Sequence, residues 1–217
     1  MKKSKIEFLS SSFQSHYPEA KCSLVFHSPY ECLVAVLLSA QCTDEKVNKV
    51  TPDLFARYPD INTLAKADLQ ELENCIHSLG LYKNKAKNLQ NLAIFLANNW
   101  NGEIPNDYKT LVSLPGVGNK TARVVLMESF GEPSFPVDTH VARISVRLGL
   151  AEESEAPIDI EKRLETYFKQ KDQAKLHHCF IDFGRDICHA KNPECGRCFL
   201  QKECRYFSKK SSFKTGK

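Results

Sequence analysis

The sequence contains no long apolar run, and this absence excludes one large class of protein. Its basic start is followed by no apolar core, and no later stretch approaches the roughly 20 apolar residues that a membrane-spanning helix needs. We therefore expect neither an export signal nor a membrane anchor. Alternation of apolar and polar residues, the pattern of half-buried strands, is also missing, while helical periodicity recurs along the chain. The sequence predicts an all-α protein.

A strong excess of one charge is missing too. The 30 lysines and arginines stand against 26 acidic residues, which gives a net charge of +4 and a pI of about 8.5. Because many proteins with no nucleic-acid role are as basic, this excess favours an acidic partner only mildly. Hydrophobic residues make up 42% of the 217, which is enough for one core or two small ones.

Most of the cysteines lack the spacing of a disulfide framework. In a chain with no expected export they are predicted to be packed thiols. These scattered residues are Cys22, Cys32, Cys42, Cys75 and Cys179.

The remaining four cysteines form a metal-binding pattern. Cys188, Cys195, Cys198 and Cys204 have the spacing C-x6-C-x2-C-x5-C. Four thiolates this close together repel one another unless a cation or a cluster neutralises them. Tetrahedral zinc and an iron-sulfur cube both accept four cysteines, so the spacing leaves both open, and the long first loop leans towards the cluster.

Capping residues predict where several helices begin and end. Ser28 and Pro29 form a cap and first turn, with Gln41 just past the end of that helix, and Thr43 opens the next. The segment 83–99 predicts a long amphipathic helix with lysines and asparagines on its polar face. We expect its stripe to include Ile94 and Phe95 and Trp100 to pack against the same layer.

The helices divide into two groups. Between 22 and 132 we count six helical segments and no internal repeat, which predicts one compact helical domain. Pro133 and Pro136 then break the pattern, and helices near 138–148, 158–168 and 174–187 precede the cysteines. The lysine-rich tail from Lys209 is expected to be a solvated end.

A helix-hairpin-helix is predicted at about 108–130. A short helix over 107–112 and a second one from Lys120 to Phe130, stopped by Gly131, flank the turn Leu-Pro-Gly-Val-Gly. The backbone N–H groups of such a turn can face a phosphate. Candidate DNA contacts in it are Gly116, Val117 and Gly118.

Lys120 and Asp138, eighteen positions apart, suggest a lysine nucleophile that works on DNA. Lys120 lies in the first turn of its helix, where the peptide dipole disfavours a second positive charge, so we expect its amine to lose a proton readily. A neutral amine can form a Schiff base with a sugar carbon. The alternatives are a hairpin that only grips phosphate, with a solvated lysine, and an Asp138 that is an ordinary helix N-cap. The cap and the chemistry can coexist.

Five motifs in the same order identify a resemblance to a known family. They are Leu-Ser-Ala-Gln-Cys-Thr-Asp at 38–44, Gly-Leu-Tyr at 80–82, the hairpin at 114–122, Val-Asp-Thr-His at 137–140 and the terminal cysteines. Together these resemble the endonuclease III family of DNA glycosylases with an associated lyase activity. The resemblance covers nearly the whole chain.

The resemblance implies a helix-hairpin-helix DNA glycosylase fold of two helical domains with DNA in the cleft between them. One domain is 22–132; the other combines 1–21 with 133–217, so that the N-terminal helix packs with the C-terminal segment. It also implies a 4Fe-4S cluster in the loop 188–204. The implied function is base excision repair by a monomer in the cytoplasm, associated with the nucleoid, acting on double-stranded DNA.

The same resemblance assigns roles to single residues. Lys120 is the family's nucleophile and Asp138 its carboxylate partner, which together remove oxidised pyrimidines and cleave the abasic site by β-elimination. Gln41 and Leu81 fill the hole left by the flipped nucleotide, against the alternatives of a solvated helix end and a core leucine. No role for the histidines is expected.

The cysteine loop carries two cations that could contact DNA. Lys191 and Arg197, on the cysteine loop, are candidate phosphate contacts, although such charges are usually only solvated.

The sequence departs from the family pattern at two positions. Asn119 stands where many members have a basic residue, and Cys42 stands where a smaller residue is common, which adds an oxidisable thiol beside Gln41.

Two rival functions remain. An adenine-removing mismatch relative shares the hairpin and the cysteines, but it has a small hydroxyl residue at the position of Lys120 and an additional domain. A non-catalytic DNA-binding scaffold would use hairpin and cluster without chemistry, and Asp138 and Gln41 would then be incidental.

Overall fold

The computed structural model describes residues 2–212, with side chains for 2–208. The described chain contains α-helices and two short 3-10 helices but no strand, which confirms the all-α prediction. The α-helices are, in chain order, α1 (Lys3–His16), α2 (Pro29–Leu38), α3 (Asp44–Arg57), α4 (Ile61–Ala65), α5 (Leu69–Ile76), α6 (Tyr82–Trp100), α7 (Tyr108–Ser113), α8 (Asn119–Phe130), α9 (Thr139–Leu148), α10 (Pro157–Tyr167), α11 (Gln170–Asp186) and α12 (Arg205–Ser212).

The end of α12 changes one expectation about the tail. The helix continues to Ser212, so the first residues of the segment from Lys209 are helical. The rest of that tail lies outside the described residues. No helix in the described chain combines the length and apolar character that a membrane span requires.

The chain folds as two compact units, Cys22–Glu132 and Met1–Lys21 with Pro133–Lys217. The unit Cys22–Glu132 contains seven helices, α2 to α8, where six were predicted. The shortest, α4, has five residues, and so less than two turns in which a period of 3.6 can be recognised. It is stabilised at its start by a reciprocal cap between Asp60 and Thr63, a pattern visible in the sequence.

Helix α6 crosses this unit and corrects the predicted stripe. Its buried face consists of alanine and leucine side chains, but Ile94 is 41% exposed and Trp100 is 40% exposed. The expected packing of Trp100 and the place of Ile94 in the buried stripe are therefore wrong, whereas Phe95 packs against the core as predicted. Conversely, Lys85 is buried, although the lysines of this helix were expected on the polar face.

The other unit has its own core of phenylalanine, leucine and isoleucine side chains. Phe13 of α1 packs against Phe180 of α11 with ring centroids 4.4 Å apart. The Lys5 ammonium donates to the carbonyls of Leu148 and Glu203, at 2.9 and 2.8 Å. These contacts fasten the N-terminal helix to the C-terminal segment, as the resemblance implied.

Candidate DNA-repair site

The hairpin is formed by α7, a five-residue turn and α8, and its boundaries lie within one residue of the prediction. Gly116 has φ +78°, a conformation that glycine adopts at no steric cost. Gly118 is the N-cap of α8 and offers no side chain to the free amides of its first turn. Within the described chain, the amides of Gly116 and Gly118 have no backbone acceptor.

Val117 differs from its two glycine neighbours. Its side chain is only 6% exposed and belongs to the core. Its N–H donates to the carbonyl of Leu114 at 3.1 Å, which closes the turn. The amides that remain available to a phosphate in this turn are therefore those of Gly116 and Gly118.

Lys120 is the second residue of α8 and is exposed. The turn ends at Gly118, two residues before Lys120. The next residue, Thr121, lines a pocket of the same unit. The position combines the positive end of the helix dipole with free access for a large ligand. Asn119 beside it accepts a hydrogen bond from the Tyr108 hydroxyl at 3.0 Å and so fastens α8 to α7.

Gln41 and Leu81 share an unusual backbone. Both have left-handed φ values, 56° and 60°, although neither is glycine. Such residues are uncommon and cost about 1–3 kcal/mol each, so they persist where the surroundings enforce them, often at functional sites. Leu81 is also 58% exposed, which argues against the alternative of a core leucine.

The structure brings these residues together around one pocket of about 310 Å³. Gln41, Leu81 and Gly116 all line it, and so do Asn84 and Asn88 of α6. Leucine and valine side chains form the apolar part of the wall. Three of the residues selected from the sequence thus meet on one concave surface of the unit Cys22–Glu132.

Lys85 also lines this pocket and was missed at the sequence level. The helical spacing contained a usable sign, because position 85 falls on the same face as Leu89, Leu92 and Leu96. A lysine on the buried face of an amphipathic helix requires specific acceptors.

Asp138 lies in the other unit, at the start of α9, and is half-buried. Its Oδ1 accepts a hydrogen bond from the Val141 N–H at 2.8 Å, so Asp138 is the N-cap that the sequence offered as an alternative. This hydrogen bond fixes the carboxylate in one orientation and engages one of its two oxygens, Oδ1.

The four C-terminal cysteines converge on one pocket. Cys188, Cys195, Cys198 and Cys204 all line it, together with apolar side chains that include Phe183 and Ile187. Burial and the nearby thiols Cys188, Cys204 and Cys195 raise the pKa of Cys198 to about 11, because each disfavours another negative charge. A cationic group bound by all four sulfurs removes that penalty.

The shared pocket is compatible with both groups that the spacing left open. Tetrahedral zinc and an iron-sulfur cube each accept four cysteine ligands, so the lining of the pocket does not choose between them.

Two arginines of α9 hold the first of these cysteines. Arg147 donates from Nη1 to the Cys188 Sγ at 3.2 Å and to the carbonyl of His189 at 2.7 Å. Arg143 donates from Nε to the Cys188 carbonyl at 3.0 Å. Helix α9 therefore has Asp138 as its N-cap at one end and contacts the cysteine loop through Arg143 and Arg147.

Lys191 and Arg197 differ within that loop. Lys191 is exposed. Arg197 donates to carboxylates of Asp186 and Glu194 at 2.8 and 2.7 Å, which ties the loop to the end of α11. Because Nε and Nη2 of Arg197 are engaged by these acids, Lys191 is the better candidate of the two for a phosphate contact.

Two family models match the chain. Residues 34–170 match the HhH-GPD superfamily of base excision DNA repair proteins, and residues 188–204 match the iron-sulfur binding domain of endonuclease III. The second match begins and ends at the first and last of the four cysteines.

Individual proteins give the same result over most of the chain. The chain is 44% identical to endonuclease III of Bacillus subtilis strain 168 over 200 residues, which cover 92% of this chain and 91% of the relative. It is 49% identical to endonuclease III of Synechocystis sp. strain PCC 6803 over 189 residues, covering 87% and 86%. A solved structure of endonuclease III trapped as a covalent intermediate with DNA, the estranged-adenine complex, superposes with a TM-score of 0.91 at 43% identity, covering 97% of this chain and 99% of that one.

Proposed function

Because the chain belongs to the endonuclease III family of HhH-GPD base excision DNA repair proteins, we propose that Lys120 and Asp138 perform its reaction. The family assigns the activity: the enzyme is a bifunctional DNA N-glycosylase and abasic-site lyase that contains a 4Fe-4S cluster. The substrates that we propose are oxidised or saturated pyrimidines and abasic sites in double-stranded DNA.

The observation that carries the proposal is the position of Lys120, exposed at the start of α8 directly behind the phosphate-binding turn. When Gly116 and Gly118 hold a phosphate of the damaged strand, the neighbouring sugar comes within reach of the amine. The neutral amine attacks the anomeric carbon, and the damaged base leaves with the bonding electrons. Opening of the sugar gives a Schiff base, from which β-elimination breaks the strand on the 3′ side.

Asp138 supplies the negative charge that this reaction needs. Its Oδ1 is held by the cap to Val141, so we assign the second carboxylate oxygen to the chemistry. A carboxylate there stabilises the positive charge that develops on the sugar and moves protons to or from Lys120. The two residues belong to different units, and their cooperation is part of the proposal.

Five further residues are proposed to hold the DNA. A nucleotide in a duplex is unreachable until it is flipped out, and Gln41 and Leu81 replace it in the stack. Their strained, exposed positions on one pocket support this role. Gly116 and Gly118 bind phosphate through their amides, and Lys191 adds a phosphate contact through its ammonium.

The 4Fe-4S cluster has a structural role in this proposal. Cys188, Cys195, Cys198 and Cys204 hold it, and the cluster supplies the charge that keeps their four thiolates together. It fixes the loop that carries Lys191. We further propose that the enzyme acts as a monomer, and that it works in the cytoplasm where the nucleoid DNA is.

The cluster makes a direct prediction about composition. Protein purified without oxygen will absorb broadly in the visible range and contain about four irons per chain. Replacing Cys198 by serine will lower the iron content and bleach the colour, since one of four ligands is lost. Cys75, a thiol outside the loop, provides the control: Cys75→Ser keeps the full iron content. A colourless protein with one zinc per chain contradicts the assignment.

Borohydride trapping tests the catalytic proposal. Borohydride reduces a Schiff base to a stable amine, so the enzyme will form a covalent adduct with duplexes that contain an oxidised pyrimidine or an abasic site. An oxidised purine and an undamaged duplex serve as comparison substrates and will give little adduct. If folded, iron-loaded protein binds these duplexes and yields no adduct with any of them, the chain is a DNA-binding scaffold.

A further inference from the structure

Lys85 is a buried lysine that the proposed chemistry does not use. It lies in the first turn of α6, four residues after Leu81, and is 8% exposed. Its Nζ donates to the Leu38 carbonyl at 2.9 Å and to the Cys42 Sγ at 3.0 Å. A buried ammonium is costly unless it is hydrogen-bonded, so the position is maintained by these acceptors.

The two acceptors flank the turn that carries Gln41. Leu38 is the last residue of α2, where the carbonyls lack helical donors and carry the negative end of the helix dipole. Cys42 is the residue directly after Gln41. The Lys85 ammonium thus holds both ends of the segment 38–42. Gln41, inside this segment, has a left-handed backbone conformation that an unrestrained chain avoids.

The charge state of Cys42 strengthens this clamp. Burial acts to raise the pKa of its thiol, but the hydrogen bond from Lys85 and another from the Gly80 backbone lower it, and the net shift is downward. A lowered pKa means more thiolate at a given pH, and a thiolate attracts the ammonium more strongly than a thiol does.

The same residue also connects to Leu81. The Lys85 backbone N–H donates to the Leu81 carbonyl at 3.0 Å, the first bond of α6. The side chain of Lys85 therefore holds the turn that contains Gln41, and its backbone N–H binds Leu81, the N-cap of α6. Both of these residues line the pocket to which Lys85 also contributes.

We propose that Lys85 is a positioning residue for nucleotide flipping: it fixes the turn around Gln41 against α6, so that Gln41 and Leu81 enter the duplex as one rigid unit. This inference rests on the proposed function. It predicts that Lys85 affects the flipping step and leaves the chemistry at the sugar unchanged, because flipping precedes attack by Lys120.

The test compares two substrates with one variant pair. In Lys85→Met, which keeps much of the volume but removes the donors, the single-turnover rate of base removal will fall about tenfold to hundredfold for an oxidised pyrimidine paired in a duplex. When the same lesion faces a one-nucleotide gap, little unstacking is needed, and the rate will be within about twofold of the unmodified enzyme. Lys87→Met, an exposed lysine of the same helix, will match the unmodified enzyme on both substrates.

A fluorescent base analogue opposite the lesion gives a readout that a merely structural role does not move. With the unmodified enzyme its fluorescence will change on binding as Gln41 and Leu81 enter the stack, and in Lys85→Met this change will be reduced at saturating protein. Equal loss on the paired and gapped substrates, or no loss on either, overturns the proposal.

If Lys85→Met fails to fold, a second variant tests the proposal. Cys42→Ala removes one acceptor and keeps the other, so we expect a severalfold loss on the paired substrate and none on the gapped one; an unchanged paired rate overturns the proposal. Failure of the proposed function is distinguished by the unmodified protein, which would then give no borohydride adduct at all.

Discussion

Lys120→Gln will abolish strand cleavage and borohydride trapping, with a loss on the order of 10⁴-fold or more in single-turnover rate. Glutamine has nearly the same length as lysine but no amine that can attack a sugar carbon. Since Lys120 is exposed at the start of α8, the exchange disturbs no packing, and the thermal midpoint will stay unchanged. Gel assays on an abasic duplex measure the cleavage.

Binding to DNA will survive the same substitution. The phosphate-binding amides of Gly116 and Gly118 belong to the backbone and remain in place. One cation is lost, so affinity will fall by a few fold and the salt dependence will become slightly shallower. Lys109→Gln, an exposed lysine on α7 of the same hairpin, will keep cleavage intact. If Lys120→Gln loses binding and cleavage in equal measure, Lys120 is a phosphate contact and the nucleophile lies elsewhere.

The parts of the fold that could be predicted were those encoded locally. Ser28 followed by Pro29 starts α2, Thr43 starts α3 and Gly131 ends α8 in the left-handed conformation, as the capping rules require. The hairpin was located within one residue for the same reason. The four cysteines could be grouped from the sequence because they lie within seventeen residues at a spacing typical of metal ligands.

Other features depend on contacts between distant segments, which the sequence does not specify. Helical spacing places Lys85 on the apolar face of α6, but the acceptor that permits its burial, the Leu38 carbonyl, lies 47 residues away and could not be identified from the sequence. Trp100, the last residue of α6, is 40% exposed, which contradicts the usual behaviour of a large aromatic ring. Left-handed φ values at Gln41 and Leu81 are likewise imposed by surroundings rather than by residue type.

Asp138 combines a structural and a chemical role, and two substitutions will separate them. Asparagine caps a helix as well as aspartate does, so Asp138→Asn keeps the bond from the Val141 N–H and the stability of α9. It removes the negative charge, and base removal will slow about 10²- to 10⁴-fold, the usual contribution of a positioned acid or base. Single-turnover rates and the thermal midpoint are measured on the same preparation.

Asp138→Ala will lose the charge and the cap together. We expect the rate of Asp138→Asn and, in addition, a free energy of unfolding lower by about 1 kcal/mol. The comparison is decisive because the two variants differ in the cap alone. If Asp138→Asn stays active while Asp138→Ala does not, the carboxylate serves only α9. In that case the charge that stabilises the sugar must come from another residue, and the proposed cooperation of Lys120 with Asp138 is wrong.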